Sequence, residues 1–429
     1  MSLKNRSKGL FWDYYALFYD SLRGLLPYQE LLSRTVKKLC IEKGKSIRIL
    51  DAGCGTGNLA GVIFSSQRDR VVLDGIDGSS AMLQRARHKS LRCDGKIHHV
   101  RGDLNEQLPY VDSSFDCTVS LNVLYALQDP QRVLQEFWRV MKFGGLLVLA
   151  NPRVKPKMRD VILAHIRMAV RLGWSKGLSL FVKNLFSFPL FLFTLVLNFL
   201  IIKRRAAKNQ YHFFDAESLE VLLKNAGFRI LSSELAYGNT DIFIAATKIL
   251  SHTNEQGDLL TAEVAHSKED FMRIYRLRYN VYCEEMGSLD PKDYPDKLER
   301  DRYDPFAVHF LLRKDDEIVG ILRLIPETPW GFLMEEAFLL PSNLDRARIL
   351  EASRLVLQKG VRGYDFSRLL DEAAELWSLE HGYTMWCLTM QIHLFPKRKV
   401  RGWNIKKLGG VARYHNTEII PVLRYLIQT

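Results

Sequence analysis

From Ile47 onward the chain alternates short apolar runs with stretches whose apolar positions recur every three or four residues. The runs 47-IRIL-50, 71-VVLDGID-77, 96-KIHHVRGD-103, 115-FDCTVSLNV-123 and 144-GGLLVLANP-152 read as strands. Between them, 79-SSAMLQRARHKS-90 and 130-PQRVLQEFWRVMK-142 carry the helical period. Such alternation predicts a parallel sheet with crossover helices. Gly144-Gly145 is placed at the turn from helix to strand. Further on, 212-HFFDAESLEVLLKNAGFRI-230 and 241-DIFIAATK-248 read as a helix followed by strands. Asp215 suits the N-cap of that helix and Gly227 the position just past its end.

After 248 the grammar changes. The stretch 249-ILSHTNEQG-257 is polar and aperiodic, and a linker is assigned to 249–258. Beyond it, 307-AVHFLLRK-314 and 317-EIVGILRLIPE-327 read as strands, and 353-SRLVLQKGVRG-363 and 367-SRLLDEAAELWSLEHGY-383 as two long helices. That mixture predicts an α+β domain. The plan is therefore a first domain over 1–248, a linker over 249–258 and a second domain over 259–429.

The first domain carries an apolar insert within 155–210. Its centre, 185-LFSFPLFLFTLVLNFLII-202, is long enough to cross a membrane, and Lys203-Arg204-Arg205 follow it. A single span would leave the last strands of the same sheet on the wrong side, and Pro189 breaks a helix near its start. We read a monotopic hairpin or lid, with 164-AHIRMAVRLGWSK-176 lying on an anionic interface. A buried helix over a substrate pocket, or a dimer contact, is the alternative. Either way the substrate is lipid-like.

Composition adds partners rather than fold. The net charge of +13 favours an anionic partner or a solvated basic surface. The six cysteines (40, 54, 93, 117, 283 and 387) form no CxxC pair and no zinc spacing, so they read as free thiols with no metal. The opening MSLKNRSKGLFWDYY lacks a signal-peptide core, which places the chain in the cytoplasm, with peripheral contact on the inner membrane face as the variant left by the insert.

The chemistry begins at 51-DAGCGTGNLA-60. Gly53, Gly55 and Gly57 at a strand–helix junction let a ligand approach the backbone, and the helix start favours polar or anionic groups. Asp77 ends the next strand, where a carboxylate accepts hydrogen bonds from a ribose diol. Asp103 ends the third. Both lie on the edge where such sheets bind ligands. Each aspartate taken singly is also an ordinary turn or cap residue.

These stretches, with 49-ILDAGCGTG-57, 75-GIDGSSAML-83, 102-GDLNEQLPYVDSSFD-116 and 138-WRVMKFGGLLVLANP-152, resemble the class I S-adenosylmethionine-dependent methyltransferases. The resemblance implies a Rossmann-like seven-stranded α/β sheet. It implies that Asp51, Gly53, Cys54, Gly55 and Gly57 cradle the methionine end of S-adenosylmethionine and that Asp77 holds its ribose. Met82, Asp103 and Leu104 would flank the adenine, and Asn122 would face the sulfonium. Tyr125, Tyr211 and His212 are candidates for the acceptor side. A nicotinamide cofactor also uses glycines and a ribose carboxylate, but 102–116 fits it poorly. No N/D-P-P-Y or cysteine-nucleophile motif points to nucleic acid.

In the last part of the chain, 275-YRLRYNVYCEEMGSL-289, 301-DRYDPFAVHFLL-312, 319-VGILRLIPE-327 and 351-EASRLVL-357 carry charged residues at fixed spacings. Arg278 and Tyr282 share a helix face, Asp301 and Asp304 are three apart, as are Glu351 and Arg354. In order and spacing these resemble the acyl-homoserine-lactone synthases and N-acyl amino acid synthases, which are GNAT-type acyltransferases. The match covers roughly 265–425, including 401-RGWNIKKLGG-410. The resemblance implies that Arg278, Asp301, Asp304, Arg323, Glu351 and Arg354 build an amine-side pocket ringed by ion pairs. Glu351 would be the base and a β-bulge amide the oxyanion donor. Ser288 stands where the lactone synthases carry tryptophan, which weakens S-adenosylmethionine as the amine donor. VLQKGVRG lacks a coenzyme A pyrophosphate loop. Both favour an acyl group delivered on acyl carrier protein, docked by the basic run 397-KRKVRGWNIKK-407.

The expectation is a bifunctional enzyme: N-acylation of a small amine or amino acid, and methylation of that product or its precursor. The alternative is a methyltransferase for an unrelated lipid or quinone-like substrate, with the second domain a separate acyltransferase or a binding module.

Overall fold

The computed structural model describes residues 12–39, 46–66, 70–91, 96–154, 156–171, 211–254, 257–361, 364–414 and 417–426. The chain forms two compact units, Met1–Lys248 and Ile249–Thr429. The apolar run 185–202 lies outside the described residues. Among the described residues no helix is long and apolar enough to cross a membrane.

The first unit is built on β1 (Ile47–Ala52), β2 (Val71–Asp77), β3 (Lys96–Arg101), β4 (Phe115–Leu121), β5 (Met141–Pro152), β6 (Phe228–Ala236) and β7 (Asp241–Lys248). Their spatial order is β3-β2-β1-β4-β5-β7-β6. The first five are parallel, and β7 runs antiparallel to both β5 and β6. The order reverses between β1 and β4, and that reversal opens a crevice at the carboxyl ends of the strands.

Helices cover both faces: α1 (Leu26–Lys38), α2 (Asn58–Ser66), α3 (Ser80–Ser90), α4 (Pro130–Val140), α5 (Met158–Arg171) and α6 (Ala216–Asn225). On one face α4 buries Val133, Leu134 and Phe137, with Leu219 and Leu223 of α6 beside them. On the other, Leu31 and Leu32 of α1 meet Leu59 and Ile63 of α2. Each such side chain contributes about 1.5–3 kcal/mol when fully buried. As the pattern predicts, Asp215 caps α6 by accepting from Ser218 N–H at 2.8 Å, and Gly227 follows with φ +86°.

Gly144-Gly145 departs from its predicted place. The helix ends at Val140 and the strand starts at once, so the glycines lie inside β5 where its register against β4 slips. A Cβ on Gly145 would come within 2.8 Å of the Lys142 carbonyl and 2.9 Å of the Asp116 carbonyl, which is why the bulge needs glycine.

The second unit holds β8 (Leu250–Thr253), β9 (Leu259–Val264), α7 (Lys268–Tyr279), β10 (Val308–Lys314), β11 (Glu317–Ile325), β12 (Ile349–Leu357), α8 (Tyr364–Glu380), β13 (Met385–Gln391), α9 (Leu394–Val400), β14 (Asn404–Lys407), β15 (Ala412–Tyr414) and β16 (Thr417–Tyr425). They form one sheet, ordered β14-β16-β13-β12-β11-β10-β9-β8, with β15 on β16. β12 and β13 are parallel to one another, and every other neighbouring pair is antiparallel.

Two predictions are corrected here. The segment 249–258 is no linker, because Leu250–Thr253 pairs with Leu259–Val264 as the edge of this sheet. The stretch 353–357, read as the start of a helix, is strand instead: it belongs to β12 and pairs with β11.

Candidate active sites

In the first unit, β1 delivers Asp51 to the crevice and the chain then turns through Gly53 (φ +81°), Gly55 (+54°) and Gly57 (+75°) into α2. Gly53 and Cys54 N–H both donate to the Ile76 carbonyl, at 2.8 and 3.1 Å, which ties the loop to β2. A Cβ on Gly53 would sit 2.4 Å from Val123, so this loop packs against the segment after β4. Asp77 accepts from Gly55 N–H at 2.9 Å and Ser79 N–H at 2.8 Å. It is fixed at the strand end with lone pairs left for a diol. Burial raises its pKa, against those hydrogen bonds.

Asp51 Oδ2 is buried with no hydrogen-bond partner. Burial, then the Asp77 charge, push its pKa up to about 7. Cys54 is buried and its thiol is pushed well up by the same burial. Met82 packs with Tyr15 and Ala16. Leu104 joins the core on the α4 side, and Asp103 closes a local turn by accepting from Asn105 N–H at 2.9 Å. Asn122 sits after β4 with φ +58° and an unpartnered buried Oδ1. The orphaned acceptors of Asp51 and Asn122 beside a loop with no room for side chains fit the cofactor named above.

Three other candidates form an aromatic patch. The Tyr125 and Tyr211 rings lie 5.0 Å apart edge to face, and His212 N–H donates to the Tyr125 carbonyl at 2.8 Å. Asn151 holds Tyr125 N–H at 2.9 Å and is fully buried, so it acts as a brace.

Pattern reading missed Asp241. It opens β7, is 2% exposed, and its Oδ1 accepts from the Thr240 hydroxyl at 3.1 Å. Oδ2 has no hydrogen-bond partner, and burial pushes the pKa up to about 7, with Asn122 and Thr240 acting against it. A lone acid heading the apolar run DIFIAATK was the available signal.

In the second unit the predicted charges converge. Arg278 on α7 pairs with Glu299 and, at 2.6 Å, with Asp304. Arg323 on β11 reaches Asp304 at 2.8 Å and Asp301 at 2.7 Å. Arg354 on β12 reaches Asp301 at 3.1 Å and Glu299 at 3.0 Å. The six residues close a ring in which every arginine lies between two carboxylates. Arg278 and Glu299 are wholly buried. Burial opposes charge here, yet the arginines hold Asp304 down at about 2 and keep Glu299 and Asp301 below their usual range. Three buried donors make no hydrogen bond: Arg278 Nη2, which faces Asp301 at 3.9 Å, Arg323 Nη2 and Arg354 Nε.

Glu299 was not foreseen. It sits in 296-DKLERDRYDP-305, two residues before Asp301. Nor was His309, whose Nε2 is 3.4 Å from Asp304 and whose pKa burial lowers to about 4, leaving it neutral. Arg278 and Tyr282 do not stack on one face. A π-helical turn over Asn280–Glu285 carries Tyr282 under the Arg354 guanidinium at 5.5 Å, while Arg278 lies over Tyr275 at 5.6 Å.

Glu351 on β12 is 2% exposed and accepts from Met334 N–H at 3.1 Å. Burial lifts its pKa to about 7, although Arg323 and Arg354 oppose it. Beside it β12 bulges: Arg323 pairs with Ser353 but Ile321 with Val356, and Arg354 adopts φ +54°. Such a conformation costs about 1–3 kcal/mol and persists only where its surroundings hold it. The basic run 397–407 is a helix and a strand, and Arg398 within it is held by Asp371 at 2.7 Å.

Comparison with known proteins assigns both units. Residues 43–175 match the family described as a methyltransferase domain, and residues 277–371 match an acetyltransferase (GNAT) domain. The chain is 34% identical over 156 residues to a malonyl-[acyl-carrier protein] O-methyltransferase of Laribacter hongkongensis, covering 34% of this chain and 50% of that protein. It is 32% identical over 136 residues to a phosphatidylethanolamine N-methyltransferase of Cereibacter sphaeroides, covering 31% and 65%. The chain thus spans about half to two thirds of the length of these relatives. A solved coenzyme A-dependent acyl-homoserine lactone synthase aligns over 38% of this chain and 78% of its own, at 24% identity and a TM-score of 0.34. The chain therefore joins a methyltransferase domain of the S-adenosylmethionine-dependent kind to an acetyltransferase domain of the GNAT family.

Proposed function

We propose that the second domain joins an acyl group from a thioester, carried on acyl carrier protein, to the amine of a small amino acid, and that the first methylates that product or its precursor. The observation that carries the acylation half is the arginine–carboxylate ring beside Glu351, with three buried donors that make no hydrogen bond. Buried guanidinium N–H groups that make no hydrogen bond suit a carboxylate, and an amino acid brings one together with its amine. Glu351, with a pKa near neutrality, removes the ammonium proton so that the nitrogen attacks the thioester carbonyl. A backbone amide freed at the β11–β12 bulge stabilises the oxyanion.

In the first domain the bound sulfonium supplies an already activated methyl group. Gly53–Gly57 and Asp51 position it, and Asp77 holds the ribose. Peripheral membrane contact belongs to the same reading. On α5 the side chains of Leu163, Ile166 and Val170 are exposed along one face, with Arg159, Arg167 and Arg171 on the same helix.

Lipid mass spectrometry of cells expressing the wild-type chain, Asp77→Ala and Glu351→Ala tests the pathway. Wild type is expected to produce an N-acyl amino acid one methyl heavier than the simple amide. Asp77→Ala accumulates the unmethylated amide, and Glu351→Ala loses both. A methylated lipid without any acylated amine would instead support a methyltransferase for an unrelated lipid, with the acyltransferase acting separately.

A further inference from the structure

A row of aromatic rings crosses the crevice of the first domain. Trp12 and Tyr15 lie 5.7 Å apart, Tyr15 and Tyr19 5.6 Å, Tyr19 and Tyr28 6.5 Å, and Tyr28 and Tyr237 6.2 Å, all edge to face. The row lies on the glycine loop, since a Cβ on Gly55 would stand 3.5–3.9 Å from the Tyr19 ring. The row ends at the turn into β7, where the Thr240 hydroxyl lies within hydrogen-bond distance of both the Tyr237 carbonyl, at 2.7 Å, and Asp241 Oδ1, at 3.1 Å.

Asp241 connects to the donor loop through a short path. The loop abuts Val123, Val123 follows Asn122, and Asn122 is near enough to Asp241 to lower its pKa. Tyr237 (φ +52°) and Asn122 (φ +58°) both hold left-handed conformations around this carboxylate. For tyrosine that is an outlier, of the kind that clusters at ligand sites.

We propose that the methyl acceptor is a cationic amine, its ammonium group held between the Tyr19–Tyr28–Tyr237 rings and the free Oδ2 of Asp241. The proposal rests on the methyltransferase reading and names the acceptor class for it. Ring faces attract a cation, the more so when it is desolvated. Asp241 Oδ2 is a buried acceptor lacking a donor, and an ammonium brings N–H donors. A carboxylate acceptor would instead place a third anion against Asp51 and Asp241.

The chemistry balances. The bound ammonium gives one proton to Asp241, leaving a neutral amine and a carboxylic acid. The nitrogen lone pair forms the N–C bond as the methyl–sulfur bond breaks, and the sulfur keeps that electron pair. The product leaves as an N-methylammonium, and Asp241 returns its proton to solvent. A pKa raised to about 7 suits a group that must take and release that proton.

Titration calorimetry on the full chain saturated with S-adenosylhomocysteine tests this, with butylammonium, butyrate and butanol as probes. Butylammonium is expected to bind at least tenfold more tightly than the other two. Asp241→Asn weakens it tenfold or more and Tyr237→Leu several-fold, while S-adenosylhomocysteine affinity stays within twofold in both variants. Butyrate or butanol binding as well as butylammonium overturns the proposal, as does unchanged butylammonium affinity in Asp241→Asn. Wild-type chain that fails to bind S-adenosylhomocysteine removes the methyltransferase reading itself, an outcome distinct from the other two.

Discussion

Glu351 shows how one side chain ties chemistry to stability. Its carboxyl rises from 4.5 to about 7 through burial. Between those two values the folded chain keeps a proton that the unfolded chain has lost. Stability therefore falls as pH rises through that window and levels off above it. The span corresponds to roughly 3 kcal/mol. Glu351→Gln removes this dependence, so its denaturation midpoint should gain on wild type between pH 4.5 and 8, while acyl transfer drops by about 10²-fold or more. A wild-type-to-variant difference that ignores pH would contradict the burial argument. Glu351 was legible through the resemblance carried by 351-EASRLVL-357. Glu299 was not, because it falls just outside the stretch 301–312 that carries the resemblance, and only the fold turns it inward against Arg278.

Among elements, the glycine loop and β12 stand at opposite ends of legibility. Three glycines after an apolar strand announce a close backbone approach, and all three adopt positive φ. Gly53→Ala should fail on two counts: strain at φ +81° and a Cβ 2.4 Å from Val123. A destabilisation of about 1–3 kcal/mol or more, with loss of S-adenosylhomocysteine binding by calorimetry, is expected. β12 was misread because its bulge puts Arg354 and Leu355 opposite one residue of β11. That extra residue breaks the two-residue alternation and leaves spacings that mimic a helix. Edge strand β8 was missed for another reason. Three of its four residues are exposed, so it is polar, as edges that resist aggregation tend to be.

For the whole molecule, the break between units falls between Lys248 and Ile249, not after a flexible stretch. A chain begun at Ile249 keeps β8 on β9, whereas one begun at Leu259 bares the β9 edge. The first should be monomeric and soluble by size-exclusion chromatography, and the second should aggregate or lose stability. Equal behaviour of the two would show that β8 contributes nothing.

The ring in the second domain has one more consequence. Arg278, Arg323 and Arg354 face Glu299, Asp301 and Asp304, so the charges cancel. His309 is neutral and adds nothing. While Glu351 keeps its proton, a pocket with no net charge receives a zwitterion without building up excess charge, but a bare cation or bare anion leaves an uncompensated unit in a desolvated site. Selection would then act on the overall neutrality of the guest. The Michaelis constant for the correct amino acid should scarcely move with ionic strength, while inhibition by simple amines should weaken as salt is added.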